Sequence, residues 1–222
     1  MSIEMDTVRL LGAAQLLVFS ASMLSERLLI SVTKSGNISG ILVSISKKTA
    51  RMRISNLVAL VNSAAIVVLA VLFYVVFKDQ YKIIALMALS FFLVEAISLA
   101  ISKIGAYALV PLSREFIEAG TPEVSNYQTL GRFLYNGIDR QGYDIHMLFF
   151  CLGGILWYYL LFITRYIPPA LSLWGLISVC LLTIPYLLVL YNRNFAKVMV
   201  LGILYLPFEV FLGIWLIVKG FN

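Results

Sequence analysis

Histidine occurs once in the 222 residues, cysteine twice and proline six times, and charged side chains make up only 13% of the chain. Each scarcity removes a class of function. One histidine, His146, and two cysteines, Cys151 and Cys180, supply too few soft ligands for a closed zinc site, so by ligand type only a His-plus-two-Glu combination stays open. Intramembrane hydrolases built on several His and Asp ligands are poorly matched for the same reason. No G-x-x-x-x-G-K-[ST] loop, H-E-x-x-H, C-x-x-C or G-x-S-x-G is present, which takes away the phosphate-loop, zincin, dithiol and nucleophile-elbow readings. Lys and Arg outnumber Asp and Glu by 17 to 11, yet the cations form no basic block interleaved with aromatics, so nucleic acid is not an expected partner. No internal repeat and no low-complexity segment is found. The sequence begins Met1-Ser2-Ile3-Glu4-Met5-Asp6, acidic where a secretory leader would be basic, so the first apolar segment is expected to stay in the protein.

What is abundant is apolar: 61% hydrophobic residues and a mean hydropathy of +0.95. That composition belongs in a bilayer. Six long continuous apolar segments, at about 8–30, 54–77, 83–110, 145–163, 170–191 and 198–218, match the roughly 20 residues that span a hydrocarbon core of about 30 Å. They lack the alternating polarity of barrel strands. The sequence therefore predicts an all-α polytopic integral membrane protein, a single transmembrane domain over 1–222 folded as a six-transmembrane-helix bundle. Pro111 is expected to stop the third helix. The tight connector around Arg165, Pro168 and Pro169 makes the fourth and fifth segments a hairpin, and Trp157, Tyr158, Tyr159, Tyr166 and Trp174 around it read as an aromatic belt. Cys151 and Cys180 read as packing thiols within spans, and Gly153-Gly154 as a close helix approach.

Two connectors predict short amphipathic helices at the headgroup surface. In 35–53, Ile41, Leu42, Val43 and Ile45 precede Lys47, Lys48, Arg51 and Arg53. In the other, Thr121-Pro122-Glu123 predicts a helix start, after which Tyr127, Leu130, Leu134 and Ile138 define an apolar face with Asn126, Arg132, Asn136 and Asp139 lying off it. On a six-span topology, Arg27, Lys34, Lys47, Lys48, Arg51, Arg53, Lys103, Arg114, Arg132, Arg140, Arg193 and Lys197 fall on one side, against five cations on the other. The richer side is expected to be cytoplasmic, which puts the protein in the cytoplasmic membrane with both termini outside.

Ionisable groups inside a span cost a few kcal/mol, so each is a functional candidate. Glu95 and Glu209 are the deepest. Glu95, Ser98 and Ser102 make a polar stripe on the third helix; Gly202, Tyr205, Glu209 and Gly213 repeat it on the last, with Pro207 able to loosen the backbone. The first helix offers Gly12, Gln15, Ser22 and Glu26, and the second Asn62. Counted from flanking cations at 1.5 Å per residue, Asn62, Glu95 and Glu209 lie roughly 12 to 18 Å from the basic side and could share a layer. His146 is expected at the mouth of the fourth span near Asp144 and Arg140. The candidate ligand-binding residues are thus Gln15, Asn62, Glu95, His146, Tyr205 and Glu209, with no metal and no cofactor expected. Three functions fit: binding or transport of a small amphiphile or lipid-like ligand, an accessory or sensor protein meeting a membrane partner or its own copies through small-residue faces such as Gly202 and Gly213, or a lipid-modifying enzyme. Enzymatic activity is the weakest expectation of composition.

The run Trp157-Tyr158-Tyr159-Leu160-Leu161-Phe162, Thr164-Arg165-Tyr166-Ile167-Pro168-Pro169-Ala170-Leu171 and Trp174-Gly175 resembles the G-Y-L-L-F-x-S-R-x-I-P-R-x-L-G-x-x-G hairpin of the membrane family catalogued as domain of unknown function 4386. The closing Pro207, Glu209, Trp215, Leu216, Ile217, Val218, Lys219 and Gly220 are similar to its last span, and Glu95 falls where that family commonly has Glu. Pro169 departs from a usual basic residue, Glu95 lacks its arginine-containing context, and the acidic N-terminus differs from the basic one of many members. The resemblance implies a six-helix membrane protein, draws attention to Glu95, Arg165 and Glu209, and carries no activity.

Overall fold

The computed structural model describes residues 5–122 and 126–221, and among them the regular structure is helical throughout. Among the described residues five helices are long and apolar enough to cross a membrane: Met5–Thr33, Thr49–Glu118, Asn126–Thr164, Pro169–Tyr191 and Lys197–Val218. Their outward faces carry Leu, Ile, Val and Phe, as with Leu10, Leu17 and Leu24 at seven-residue intervals, each about half exposed. Apolar surface on that scale has no solvent in water, and it identifies a membrane-embedded protein.

Helix α1 (Met5–Thr33) ends with Ser31 and Thr33 turning their hydroxyls back onto the carbonyls of Leu28 and Leu29. A short helix α2 (Ile38–Lys47) follows, started by Asn37, whose Oδ1 accepts from the Gly40 N–H at 2.8 Å. The predicted apolar face is present here, but Ile41, Leu42 and Ile45 pack into protein against Leu29, Val32, Met52, Leu109 and Phe116.

Helix α3 (Thr49–Glu118) runs for 70 residues, interrupted only at Tyr81, where φ −133° and ψ 47° leave the helical region. The break falls in the polar run Lys78-Asp79-Gln80-Tyr81-Lys82 and separates two arms, 49–80 and 82–118. Pro111 does not stop the second arm. Its ring sits on the exposed side, so the loss is one backbone hydrogen bond without a buried clash, and Ser113 Oγ donates to the neighbouring Val110 carbonyl at 2.7 Å. The stop comes at Gly120 (φ 79°), where the Thr121 N–H reaches the Phe116 carbonyl in a Schellman ending. Thr121 therefore closes α3 and does not open the next helix; Glu123, the third residue of the predicted start, lies outside the described residues.

Helix α4 (Asn126–Arg132) passes into a π-helical segment, Phe133–Arg140, and on into α5 (Gln141–Thr164) without a break. The predicted separate helix is thus continuous with the next apolar one, and its predicted faces shift. The wider i→i+5 turn rotates residues away from a 3.6-residue count, so Asp139, expected on the polar face, is completely buried; Leu130, in the α-helical part before it, is exposed. Helix α6 (Pro169–Tyr191) begins with Pro at its first position, where a missing N–H is harmless. A 3-10 segment, Arg193–Leu204, precedes α7 (Tyr205–Val218), so the predicted last helix is α-helical only over its last two thirds. Pro207 explains the switch point: it lies in the first turn of α7, where its lack of an N–H breaks no α-helical bond.

Packing divides the chain into two compact units. One comprises the described residues up to Phe19, Ala64–Ile97 and those from Asp144 on; the other comprises Ser20–Ser63 and the described part of Ser98–Tyr143. In the first, Trp157 is completely buried with its ring 4.9 Å from Phe73 and 6.1 Å from Phe77, and Tyr158 beside it is buried too. Neither belongs to an aromatic belt, because the 3.6-residue repeat that buries Phe150, Cys151 and Gly154 turns both inward; Tyr159, one step on, is exposed. Gly153 sits directly against the ring of Phe92, a close approach that a larger side chain would prevent. Cys151 is buried and Cys180 lies on the exposed side, so only the first is a core thiol.

Candidate functional site

The first unit gathers six polar side chains from four helices into its apolar interior. Gln15 comes from α1, Glu95 from α3, His146 and Tyr158 from α5, and Tyr205 and Glu209 from α7, all buried. Backbone contact brings α1 to α7: a Cβ at Gly12 would stand 2.7 Å from the Gly213 carbonyl, and one at Gly213 would stand 2.6 Å from the Leu16 side chain. Gly213 and Gly202, which a Cβ would drive into Leu182, are therefore packed within the chain and present no open small-residue face to a partner.

Across that contact Gln15 Nε2 donates to Glu209 Oε1 at 2.9 Å. The same oxygen accepts from the Tyr205 hydroxyl at 3.2 Å, one helical turn earlier on α7. Tyr205 in turn shares a short hydrogen bond with the Tyr158 hydroxyl. His146 Nδ1 donates to the backbone carbonyl of Glu95 at 3.2 Å and lies 3.9 Å from its Oε1, too far for a hydrogen bond. Glu95 Oε2 has no hydrogen-bond partner among the described residues. Around these side chains stand Phe150, edge-on to Tyr205 at 5.3 Å, and Phe208, edge-on to Tyr158 at 4.9 Å.

Of the residues singled out in the sequence, Gln15, Tyr205 and Glu209 are linked to one another by hydrogen bonds, and Glu95 and His146 lie against each other in the same unit. Asn62 is not among them; it belongs to the second unit, where it is buried with Oδ1 unpaired among the described residues. His146 is buried beside Glu95, and the Asp144 carboxylate takes Arg193 at 2.7 Å. Tyr158 was missed because it stands in an aromatic cluster; its place four residues after Gly154 on the buried face was the available signal. Among the described residues no group of three or more His, Cys, Asp or Glu side chains could hold a metal ion, so the His-plus-two-Glu combination is not assembled.

The second unit holds a charge cluster of its own. Lys103 Nζ lies 2.5 Å from Asp139 Oδ1, both buried, and Arg140 grips Glu26 with 2.7 and 3.3 Å bonds while its Nε lies 3.7 Å from Asp139 Oδ2. Arg140 also stacks over the Tyr143 ring. The charges balance, two against two, and the π-helical turn places Asp139 and Arg140 on their respective partners.

In comparison with known proteins, a family described as Domain of unknown function (DUF4386) matches residues 10–220. No curated protein and no solved structure matches the chain. With nearly its whole length matched, the chain belongs to the DUF4386 family.

Proposed function

We propose that this protein binds or moves a small amphiphile at the carboxyl cluster of Glu95 and Glu209, with proton exchange through Tyr205, Tyr158 and His146. The observation that carries the proposal is the hydrogen-bonded run Gln15, Glu209, Tyr205, Tyr158 inside otherwise apolar helices. Helix packing alone would be served as well by apolar side chains of the same volume. A hydroxyl and a protonated carboxyl both donate and accept, so a proton can pass between Glu209, Tyr205 and Tyr158, while Gln15 anchors the carboxyl. The rings of Phe92, Phe150 and Phe208 offer an apolar wall for a ligand's chain, and the two bonds to Glu209 Oε1 are the ones a ligand's polar end would exchange for.

The setting is a bilayer crossed six times. Helix α3 is about 105 Å long by its residue count, several times a hydrocarbon core, so its two arms make one crossing each with the polar break at Tyr81 between them. In this topology α2 and the α4 region lie at the headgroup level. Lys103, Arg140 and Arg193 are engaged in ion pairs and do not count toward orientation, which leaves 9 cations against 5 and still favours the cytoplasm for the richer side. Both termini are then outside the cytoplasmic membrane.

Glu209→Gln and Glu95→Gln test the site. Each variant should keep a helical circular-dichroism spectrum, and each should lose the thermal stabilisation that fractions of a total lipid extract give the wild type. Stabilisation retained by both variants would overturn the assignment.

A further inference from the structure

A cleft of about 570 Å³ opens in the second unit between the start of α2 and the α4/π-helical rod. Ser35, Asn37, Ser39, Arg132, Tyr135 and Asn136 are among its lining residues, and no Asp or Glu among the described residues lines it. Its one cation is Arg132, which makes no ion pair among the described residues. Asn37 caps only the Gly40 N–H, while the N–H groups of Ile38 and Ser39, in the first turn of a 10-residue helix, have no carbonyl four residues back within that helix. A positive side chain, a helix start, amides and hydroxyls thus line one space without an opposing carboxylate among the described residues. Beside Ile38 and Ile41 the lining is polar, and with one positive side chain it repels a metal cation and suits an anion with several acceptor oxygens. Beside Arg132, Leu130 and Phe133 are exposed, at 47% and 60%, so apolar surface adjoins the polar mouth.

We propose that this cleft binds a phosphate group, carried by the headgroup of an anionic amphiphile or free in solution, with Arg132 as its charge partner and Asn136 and Tyr135 as further hydrogen-bonding groups. The neighbouring Leu130 and Phe133 favour the amphiphile, since an alkyl chain leaving the headgroup would lie across them. The site is independent of the carboxyl cluster of the first unit, and neither stands or falls with the other.

The test titrates the detergent-solubilised full chain with dihexanoyl phosphatidylglycerol, dihexanoyl phosphatidylcholine and inorganic phosphate, and reads binding by thermal stabilisation. Wild type, Arg132→Gln, Asn136→Ala and the control Lys47→Gln are compared. Saturable binding of phosphatidylglycerol, weakened roughly tenfold by Arg132→Gln and unaffected by Lys47→Gln, supports a lipid-borne phosphate. Equal binding of inorganic phosphate with the same Arg132 dependence supports the free anion. Arg132 is exposed, so its replacement should fold normally, and Asn136→Ala, which keeps the charge, should weaken whichever ligand binds. Wild-type binding by Arg132→Gln, equal loss in Lys47→Gln, or no binding of any probe overturns the proposal.

Discussion

At the scale of single residues, the most consequential side chains are those whose polarity has no business in an apolar helix unless something meets it. Asp139 and Lys103 meet each other with almost no exposure. Asp139→Asn should cost about 3–5 kcal/mol, because it strands the Lys103 ammonium in the interior. Replacing both, Lys103→Met with Asp139→Leu, should cost far less than either change alone, as thermal unfolding in detergent would show. Tyr205→Phe removes one donor from Glu209 and should lower the same midpoint by about 1 kcal/mol equivalent. Glu95 and Glu209 could be picked out of the sequence because a carboxyl in a long apolar run is expensive whatever surrounds it. Asp139 could not, because its pairing depends on a π-helical turn that no residue type announces; a 3.6-residue count put it on the wrong face. Tyr158 was hidden for a different reason, since a tyrosine near a span end serves a membrane interface as readily as a buried hydroxyl pair.

At the scale of elements, the apolar runs made the helices readable, and their irregular joints were not. Continuous hydrophobicity marks where a helix must run, but the choice among α, 3-10 and π turns is set by packing and by single residues such as Pro207. Pro111 illustrates the limit: it reads as a stop, yet an outward-facing ring in a lipid-exposed helix costs little beyond one hydrogen bond. The contact of α1 with α7 depends on glycine at both crossing points. Gly213→Ala should destabilise the protein by about 1–3 kcal/mol, since its methyl meets Leu16 at 2.6 Å. Combining it with Leu16→Ala should return part of that loss. Gly36→Ala, with nothing within 4 Å of the added carbon, should change the midpoint by less than about 0.5 kcal/mol.

At the scale of the molecule, outward-facing leucine, isoleucine and valine make the bilayer part of the folded structure. The protein should remain in the membrane pellet through an alkaline carbonate wash and leave it only with detergent. The proposed orientation makes a second prediction. With Cys151 and Cys180 replaced, a cysteine introduced at Lys78 should react with an impermeant maleimide on intact cells, whereas one at Arg51 should react only after permeabilisation. The opposite pattern would invert the topology without altering the carboxyl cluster.

The central claim is that the buried cluster of Gln15, Glu95, His146, Tyr205 and Glu209 holds a ligand. Native mass spectrometry of the protein released from mild detergent tests it most directly, by reading mass above the 24.8 kDa chain. A discrete excess in the range of a single amphiphile, present on the wild type and absent from folded Glu209→Gln, is the expected result. The bare chain in both, or the same excess on both, would contradict the account.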